Sequence, residues 1–344
     1  AWASYLLRRR FYGWSRDRLE RHQAGRVARV LDHARRHSPY YAEWLTPGGT
    51  LADAPVIDKS AMMAHFNEIN TAGLDRDALI DFKIAQEREG GMGLYAGGYS
   101  VGLSSGTSGN RGLTVLSKDE RALYGCLLRA RSGLPAGIGP LRVLFTLRTN
   151  NAAFMEAGTS GLRIVFADYT HTPDEIVALL NAKRINVYAG PPSLLRMIAA
   201  PARHIVEPLK AVISYAEVLD AVTRAELETS FRAPVIEIYQ GSEGFIASTC
   251  RCGNLHLNED VILVEDTAVD GVAPGIREVF LTDLYRVTQP IIRYRLGDLL
   301  EFDPAPCSCG SCFRRVKLIH GRSDDIFLLA GKDGGQRHLF PDYV

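Results

Sequence analysis

With 344 residues, 46% of them apolar, the chain is large enough for more than one hydrophobic core, and two or three subdomains are expected. Forty Lys and Arg against 39 Asp and Glu leave a net charge of +1, so composition implies no broad basic face and argues against nucleic acid as a main partner. No apolar run approaches the roughly 18 residues of a membrane span, and the opening AWASYLLRRRFYGW is too polar for a signal peptide, so the expected location is cytoplasmic. The chain begins without Met, and its natural N-terminus is expected upstream.

Residues 15 to about 80 are predicted helical. RLERHQAGRVARVLDHARRH places apolar residues at helical spacing, and Pro39 and Pro55 interrupt the pattern. The whole of 1–100 is read as a helical region packed on a larger lobe, without chemistry of its own. Its last part, EREGGMGLYAGGYS at 87–100, is glycine-rich and predicts a turn. Next comes LSSGTSGNRG at 103–112, with three glycines, three serines, a threonine and Arg111 as the sole charge. Most Gly/Ser-rich stretches are flexible connectors. Small residues also let successive backbone N–H groups and hydroxyls converge on phosphate oxygens. The loop is not the P-loop of NTPases, because Gly109 is followed by Asn110 and Arg111 where that pattern needs Lys-Ser/Thr.

Over 101–245 short β-rich runs alternate with amphipathic helices: RVLFTL, RIVFAD, a helix opened by Pro173 and Asp174, INVYAG, a helix opened by Pro191 and Pro192, LKAVISYAE, a helix around 220–230, and PVIEIYQG. This alternation predicts an α/β fold, a mainly parallel sheet covered by helices. Ligands of such sheets sit beyond the C-terminal strand ends, which points to SYAEV and YQGSEG. From 246 to 322 the helices stop, and LHLNEDVILVED, REVFLTDL, PIIRYRLGDLLEF and RRVKLIHGR predict a smaller, mostly antiparallel β subdomain. Five of the six cysteines fall in TCRCGNLH and PCSCGSC, where Cys-x-Cys-Gly occurs twice, with His256 beside the first pair. Thiolate and imidazole at this spacing predict a closed structural zinc site. Spacing alone does not choose among Cys250, Cys252, His256, Cys307 and Cys309, with Cys312 the weaker candidate.

Four stretches stand in order: SSGTSGNRG (104–112), YQGSEG (239–244), YRLGD (294–298) and GRSDD (321–325). With them the sequence resembles the adenylate-forming superfamily of acyl-CoA synthetases, peptide-synthetase adenylation domains and luciferases. HSPYYAEWL, LADAPVIDKSAMMAHFNEINT and FLLAGKDGGQRHLFPDYV resemble its phenylacetate-CoA ligase branch. The resemblance implies ATP-dependent activation of a carboxylic acid to an acyl-adenylate, then transfer to the thiol of CoA or of a carrier-protein phosphopantetheine. The acid is already ionised at neutral pH, so the site must chiefly offset negative charge.

Carried over residue by residue, the resemblance gives Ser104, Ser105, Gly106, Thr107, Ser108, Gly109 and Arg111 to the phosphates. It gives Glu243 to Mg2+, Asp298 to the ribose hydroxyls, and Arg322 to ribose or phosphate. Ala216, Glu217, Tyr239, Gln240, Gly241 and Ser242 surround the nucleotide, and Glu243, Arg322 and Thr107 act in catalysis. Tyr188, Gly190, Pro191, Tyr215 and Ala216 are expected to line the acid pocket, whose aromatic and small residues suit a benzoate-like or hydroxybenzoate-like acid. Relatives suggest Cys250, His256, Cys307 and Cys309 for zinc, while the symmetry of the two knuckles suggests Cys252 in place of His256. Relatives carry Lys where Asn110 stands, and Arg111 is expected to compensate. Asp324 resembles a hinge, and 323–344 the start of a second lobe that carries a lysine needed for adenylation and is expected beyond Val344. Two other classes resemble the same pattern: a nucleotidyltransferase that adenylylates a hydroxyl of a deazaflavin coenzyme, and a non-catalytic nucleotide-binding protein.

Overall fold

The computed structural model describes residues 2–89, 93–104, 111–131, 140–147, 162–168, 171–269, 272–323, 327–330 and 336–339. They group into two compact units, one of residues 1–9 and 75–253 and one of residues 10–74 and 254–344. Helix α1 (Trp2–Gly13) opens the chain and α2 (Arg16–His37) follows it. The Ser15 side chain caps α2 by accepting from the Arg18 N–H, basic Arg35, Arg36 and His37 occupy its last turn, and Ser38-Pro39 ends it. Leu19, Gln23, Val30, Leu31 and Ala34 form its buried stripe.

The helices of 10–74 belong with the antiparallel strands, although the sequence reading takes 1–100 as one region. Long-range backbone pairing explains this: the Arg295 N–H donates to Ile57 O at 2.7 Å, and the Thr71 N–H donates to Thr288 O at 2.9 Å. Side chains add to it, since Gln23 Nε2 donates to Glu259 O and Arg26 Nε to Leu284 O, each at 2.9 Å.

In the first unit α3 (Arg76–Glu89) leads to a two-stranded antiparallel ribbon, β1 (Ser100–Leu103) and β2 (Leu113–Leu116), and then to α4 (Lys118–Arg131). The helix runs through Glu89, further than the glycines of 87–100 suggest, because RDALIDFKIAQERE contains only good or tolerable helix formers. Within that stretch Tyr95 and Tyr99 exchange two backbone hydrogen bonds. The main sheet holds β3 (Leu141–Leu147), β4 (Leu162–Asp168), β5 (Val187–Gly190), β6 (Ala211–Tyr215) and β7 (Val235–Gly241), all parallel in the spatial order β4-β3-β5-β6-β7. Then β8 (Gly244–Thr249) turns back antiparallel to β7.

The crossover helices are α5 (Pro173–Ala182), α6 (Pro192–Ala199) and α7 (Ala221–Phe231). A Thr172–Glu175 capping box and Pro173 start α5, and the Asp220 carboxylate starts α7 by accepting the Val222 and Thr223 N–H groups. Ile176, Leu180, Leu195, Ile198 and Leu227 of these helices pack on Leu144, Tyr188, Val212 and Val235 of the sheet. Each such aliphatic side chain contributes about 1.5–3 kcal/mol by leaving water, and this core holds the strand ends rigidly.

The second unit is antiparallel, with β9 (Leu255–Leu257), β10 (Ile262–Ala268), β11 (Ile276–Asp283), β12 (Tyr294–Asp303) and β13 (Arg315–Arg322) in the order β10-β11-β12-β13-β9. A separate hairpin pairs β14 (Phe327–Ala330) with β15 (Gln336–Leu339).

Candidate functional site

The ribbon β1–β2 is the stem of the 104–112 loop. Ser104 and Gly112 close it: Ser104 N–H donates to Gly112 O at 2.8 Å, and Gly112 N–H donates to Ser104 Oγ at 2.7 Å. Ser105, Gly106, Thr107, Ser108, Gly109 and Asn110 lie outside the described residues. Arg111 is held at the stem, with Nε donating to Ser104 O at 3.2 Å and its terminal nitrogens on Glu87. On β2, Thr114 Oγ1 donates to Ser242 O at 3.4 Å. That contact brings the stem of the glycine-rich loop to the turn that carries Glu243.

Ser242 and Glu243 form the two-residue connection between Gly241 and Gly244 at the end of β7. A Cβ added to Gly241 would stand 2.5 Å from Glu243 Oε2, so the absent side chain gives the carboxylate its place. Gln240, one residue earlier, accepts a short hydrogen bond from the Tyr124 hydroxyl on α4, and burial raises the pKa of that phenol. Tyr239 is half-buried beside it.

At the end of β6, Ala216 has φ +69°, a left-handed conformation that a non-glycine residue keeps only when its surroundings impose it. It is exposed and lies beyond the C-terminal end of a parallel strand, where ligands of such sheets bind. Glu217 faces the start of α6, where its carboxylate accepts Ser193 N–H at 2.9 Å and Ser193 Oγ at 2.8 Å. It thus serves the positive end of a helix dipole. Tyr188 is fully buried in the core, where its hydroxyl accepts from Thr146 Oγ1 at 3.2 Å, and buried Tyr215 donates to Thr146 O. Gly190 and Pro191 stand at the junction of β5 and α6, with Gly190 opposite Ser214 of β6. The Ser214 hydroxyl is fully buried and finds no hydrogen-bond partner among the described residues. On β7 Glu237 is mostly buried, which raises its pKa even though Arg224 pairs with it at 2.9 Å.

In the second unit Asp298 of β12 lies opposite Arg322 of β13, Oδ1 to Nε 3.8 Å. Asp298 is largely covered and the Arg322 side chain is 60% exposed, so the arginine is the one open to a ligand. The ladder slips on both sides of this place, between Asp298 and Leu300 and between Glu278 and Phe280, and Gly297 has φ +81°. Such bulges re-aim a side chain out of the regular pleat. Asp324 lies outside the described residues.

The ligand atoms of Cys250, His256, Cys307 and Cys309 all lie within 4.8 Å of one another. His256 and Cys309 are fully buried, and the pKa of the imidazole is lowered, mainly by burial, which favours the neutral ligand form. Its Nδ1 hydrogen-bonds to Phe313 O at 2.8 Å, which directs Nε2 toward Cys309 Sγ, 3.7 Å away. Backbone N–H groups of Cys252 and Ser311 and the Asn254 amide donate to the sulfurs of Cys250, Cys309 and Cys307. These features fit a thiolate-rich metal site with donors that steady its negative charge. Cys252, which is exposed, and Cys312, which is half-buried, lie outside this cluster, so His256 and not Cys252 completes it among the described residues.

Glu87, Thr114 and Tyr124 went unnoticed in the sequence. Each lies on an ordinary amphipathic helix or strand, and only tertiary contact distinguishes it.

No family model matches the chain. Protein CapK of Staphylococcus aureus is 32% identical over 119 residues, 34% of this chain and 26% of that protein, so the match spans about a quarter of the relative. Among solved structures, a 2-hydroxyisobutyryl-CoA ligase in the postadenylation state with R3-HIB-AMP superposes with a TM-score of 0.73 at 19% identity, over 97% of this chain and 73% of that one. Its open conformation with 2-HIB-AMP and CoA gives 0.69 at 20% identity, over 97% and 80%. An anthranilate CoA ligase with anthranoyl-AMP gives 0.53 at 14% identity, over 71% and 50%. These likenesses are of architecture, and the chain has the fold of the adenylate-forming ligases.

Proposed function

We propose that the protein joins a carboxylic acid to AMP at the expense of ATP and passes the acyl group to a thiol. The observation that carries this reading is the contact of Thr114 with Ser242, which sets the stem of a loop rich in small residues against the turn bearing Glu243. A carboxylate attacking the α-phosphorus needs no base; it needs its charge and that of the phosphates offset. Backbone donors of the loop, Glu243 holding Mg2+, and Arg322 supply this, and Asp298 accepts the ribose hydroxyls. A bound Mg2+ would neutralise and align phosphate oxygens. The strained Ala216 and the neighbouring Tyr239 and Gln240 border the adenine.

The acid is best accommodated near Gly190 and Tyr215. The Ser214 hydroxyl, buried and without a partner among the described residues, favours an acid with a polar substituent, such as a hydroxybenzoate, because a buried hydroxyl left unpaired costs about 1–3 kcal/mol that a substrate can recover. The solved ligases, described with acyl-AMP and with CoA, support an adenylate intermediate and a CoA acceptor; a carrier-protein thiol is the alternative acceptor. Cys250, His256, Cys307 and Cys309 hold zinc, which stabilises and takes no part in the reaction.

Calorimetric titration with ATP and with a non-hydrolysable acyl-adenylate analogue tests the assignment. The analogue should bind more tightly than ATP, since it fills nucleotide and acid sites together. Binding of neither ligand would remove the nucleotide site.

A further inference from the structure

The last turn of α3 reaches two neighbouring segments. Gln86 Nε2 donates to Gly93 O at 2.6 Å, and Glu87 receives both terminal nitrogens of Arg111 at 3.0–3.2 Å. The same guanidinium donates through Nε to Ser104 O at 3.2 Å. One planar fork therefore joins the helix to residue 111 and, across the stem, to residue 104, beside the Ser104–Gly112 hydrogen bonds. Lys83, one turn before Glu87, is only 3% exposed, and its ammonium is disfavoured chiefly by burial, with Arg111 adding to the effect and Glu87 opposing it.

Two roles for Arg111 fit a loop that receives phosphates. In one, Arg111 touches the phosphates and Glu87 competes with them. In the other, Arg111 is spent on the stem and Glu87 holds it there. The contacts favour the second: three guanidinium nitrogens are engaged, and withdrawing Arg111 would strip Glu87 of a bidentate partner and Ser104 of its donor.

We infer that Glu87 is a positioning residue that acts through Arg111 to hold the stem of the 104–112 loop ready for phosphate. The inference rests on the nucleotide reading proposed above. Its physical content is preorganisation: a stem fixed before binding leaves less backbone entropy to be lost when ATP arrives.

The sign of one substitution separates the two roles. Glu87→Gln removes the charge that holds the fork. If Glu87 competes with phosphate, ATP binds more tightly to the variant; if it positions the stem, ATP binds about fivefold more weakly, the upper range for a half-exposed ion pair. Arg111→Lys keeps the charge and loses the fork, so it should weaken ATP similarly, and the double variant should be no worse than either single one. Adenosine, which lacks phosphates, is the control and should bind all variants as it binds the wild type. Tighter or unchanged ATP binding by Glu87→Gln would overturn the inference, and so would equal losses for ATP and adenosine, which would mark a general structural defect. A wild-type protein that binds adenosine but gains nothing from the phosphates would instead overturn the phosphate reading of the loop.

Discussion

Glu243 occupies a turn of two residues, and its carboxylate tip lies where a side chain on Gly241 would stand. Replacing Glu243 by Gln keeps its size and removes its charge, so turnover should fall by about 100-fold, as when a main electrostatic group is lost. Near-normal turnover at saturating Mg2+ would take Glu243 out of the site. Asp298 should behave differently, because a ribose acceptor contributes to binding before the transition state. Asp298→Ala should weaken ATP by roughly 2–3 kcal/mol, the scale of charged hydrogen bonds lost from a covered site, with little effect on the acid. Equal weakening of both ligands would indicate misfolding. Taken alone, Asp298 read in the sequence as an ordinary turn acid and Glu243 as evenly balanced between a turn acid and a site residue, and their joint order with the loop made both candidates. What the sequence hid is their surroundings. The backbone strain at Ala216, the capture of Glu217 by Ser193 and the fork between Arg111 and Glu87 depend on residues brought together by the fold.

At the level of elements, strands were legible where apolar runs stand between turn residues, as in RVLFTL and PVIEIYQG, and a helix where Pro173 and Asp174 open it; the caps Thr172 and Asp220 emerge only from the structure. The limit of α3 was not, because the glycine-rich stretch 87–100 reads whole as a turn, whereas the helix continues to Glu89. Asp220 offers a check on α7. Its hydrogen bonds, chiefly with Thr223, hold its carboxyl below the usual carboxylate range, so its contribution is present above that range and is lost as the pH falls through the lowered value. Asp220→Ala should cost about 1 kcal/mol in denaturant unfolding at neutral pH, with the difference from wild type shrinking in acid. A cost independent of pH would mean that the cap acts without its charge.

The two knuckles form another element-scale device. Protein purified without added metal should contain about one zinc per chain, and strong chelation should lower the melting temperature, because metal binding is linked to folding. Replacing Cys307 and Cys309 together should abolish zinc binding, while any soluble fraction keeps its nucleotide affinity. Metal-free protein of unchanged stability would return these cysteines to ordinary reduced side chains.

For the whole molecule, the alternation of strands and helices followed by strands alone made the α/β and antiparallel parts legible. The membership of 10–74 was not, since it rests on backbone pairs such as Ile57 with Arg295, more than two hundred residues apart. The central claim concerns a reaction, and the most direct test is acid-dependent release of pyrophosphate from ATP by the natural full-length protein, measured across a panel of aromatic and aliphatic acids. The account predicts release that depends on the acid and is strongest with a hydroxylated aromatic acid, with thioester appearing when CoA or a carrier-protein thiol is added. Pyrophosphate release that ignores every acid and requires instead a coenzyme hydroxyl would make the protein a nucleotidyltransferase, and ATP binding without any release would make it a non-catalytic nucleotide binder; either result contradicts acid activation.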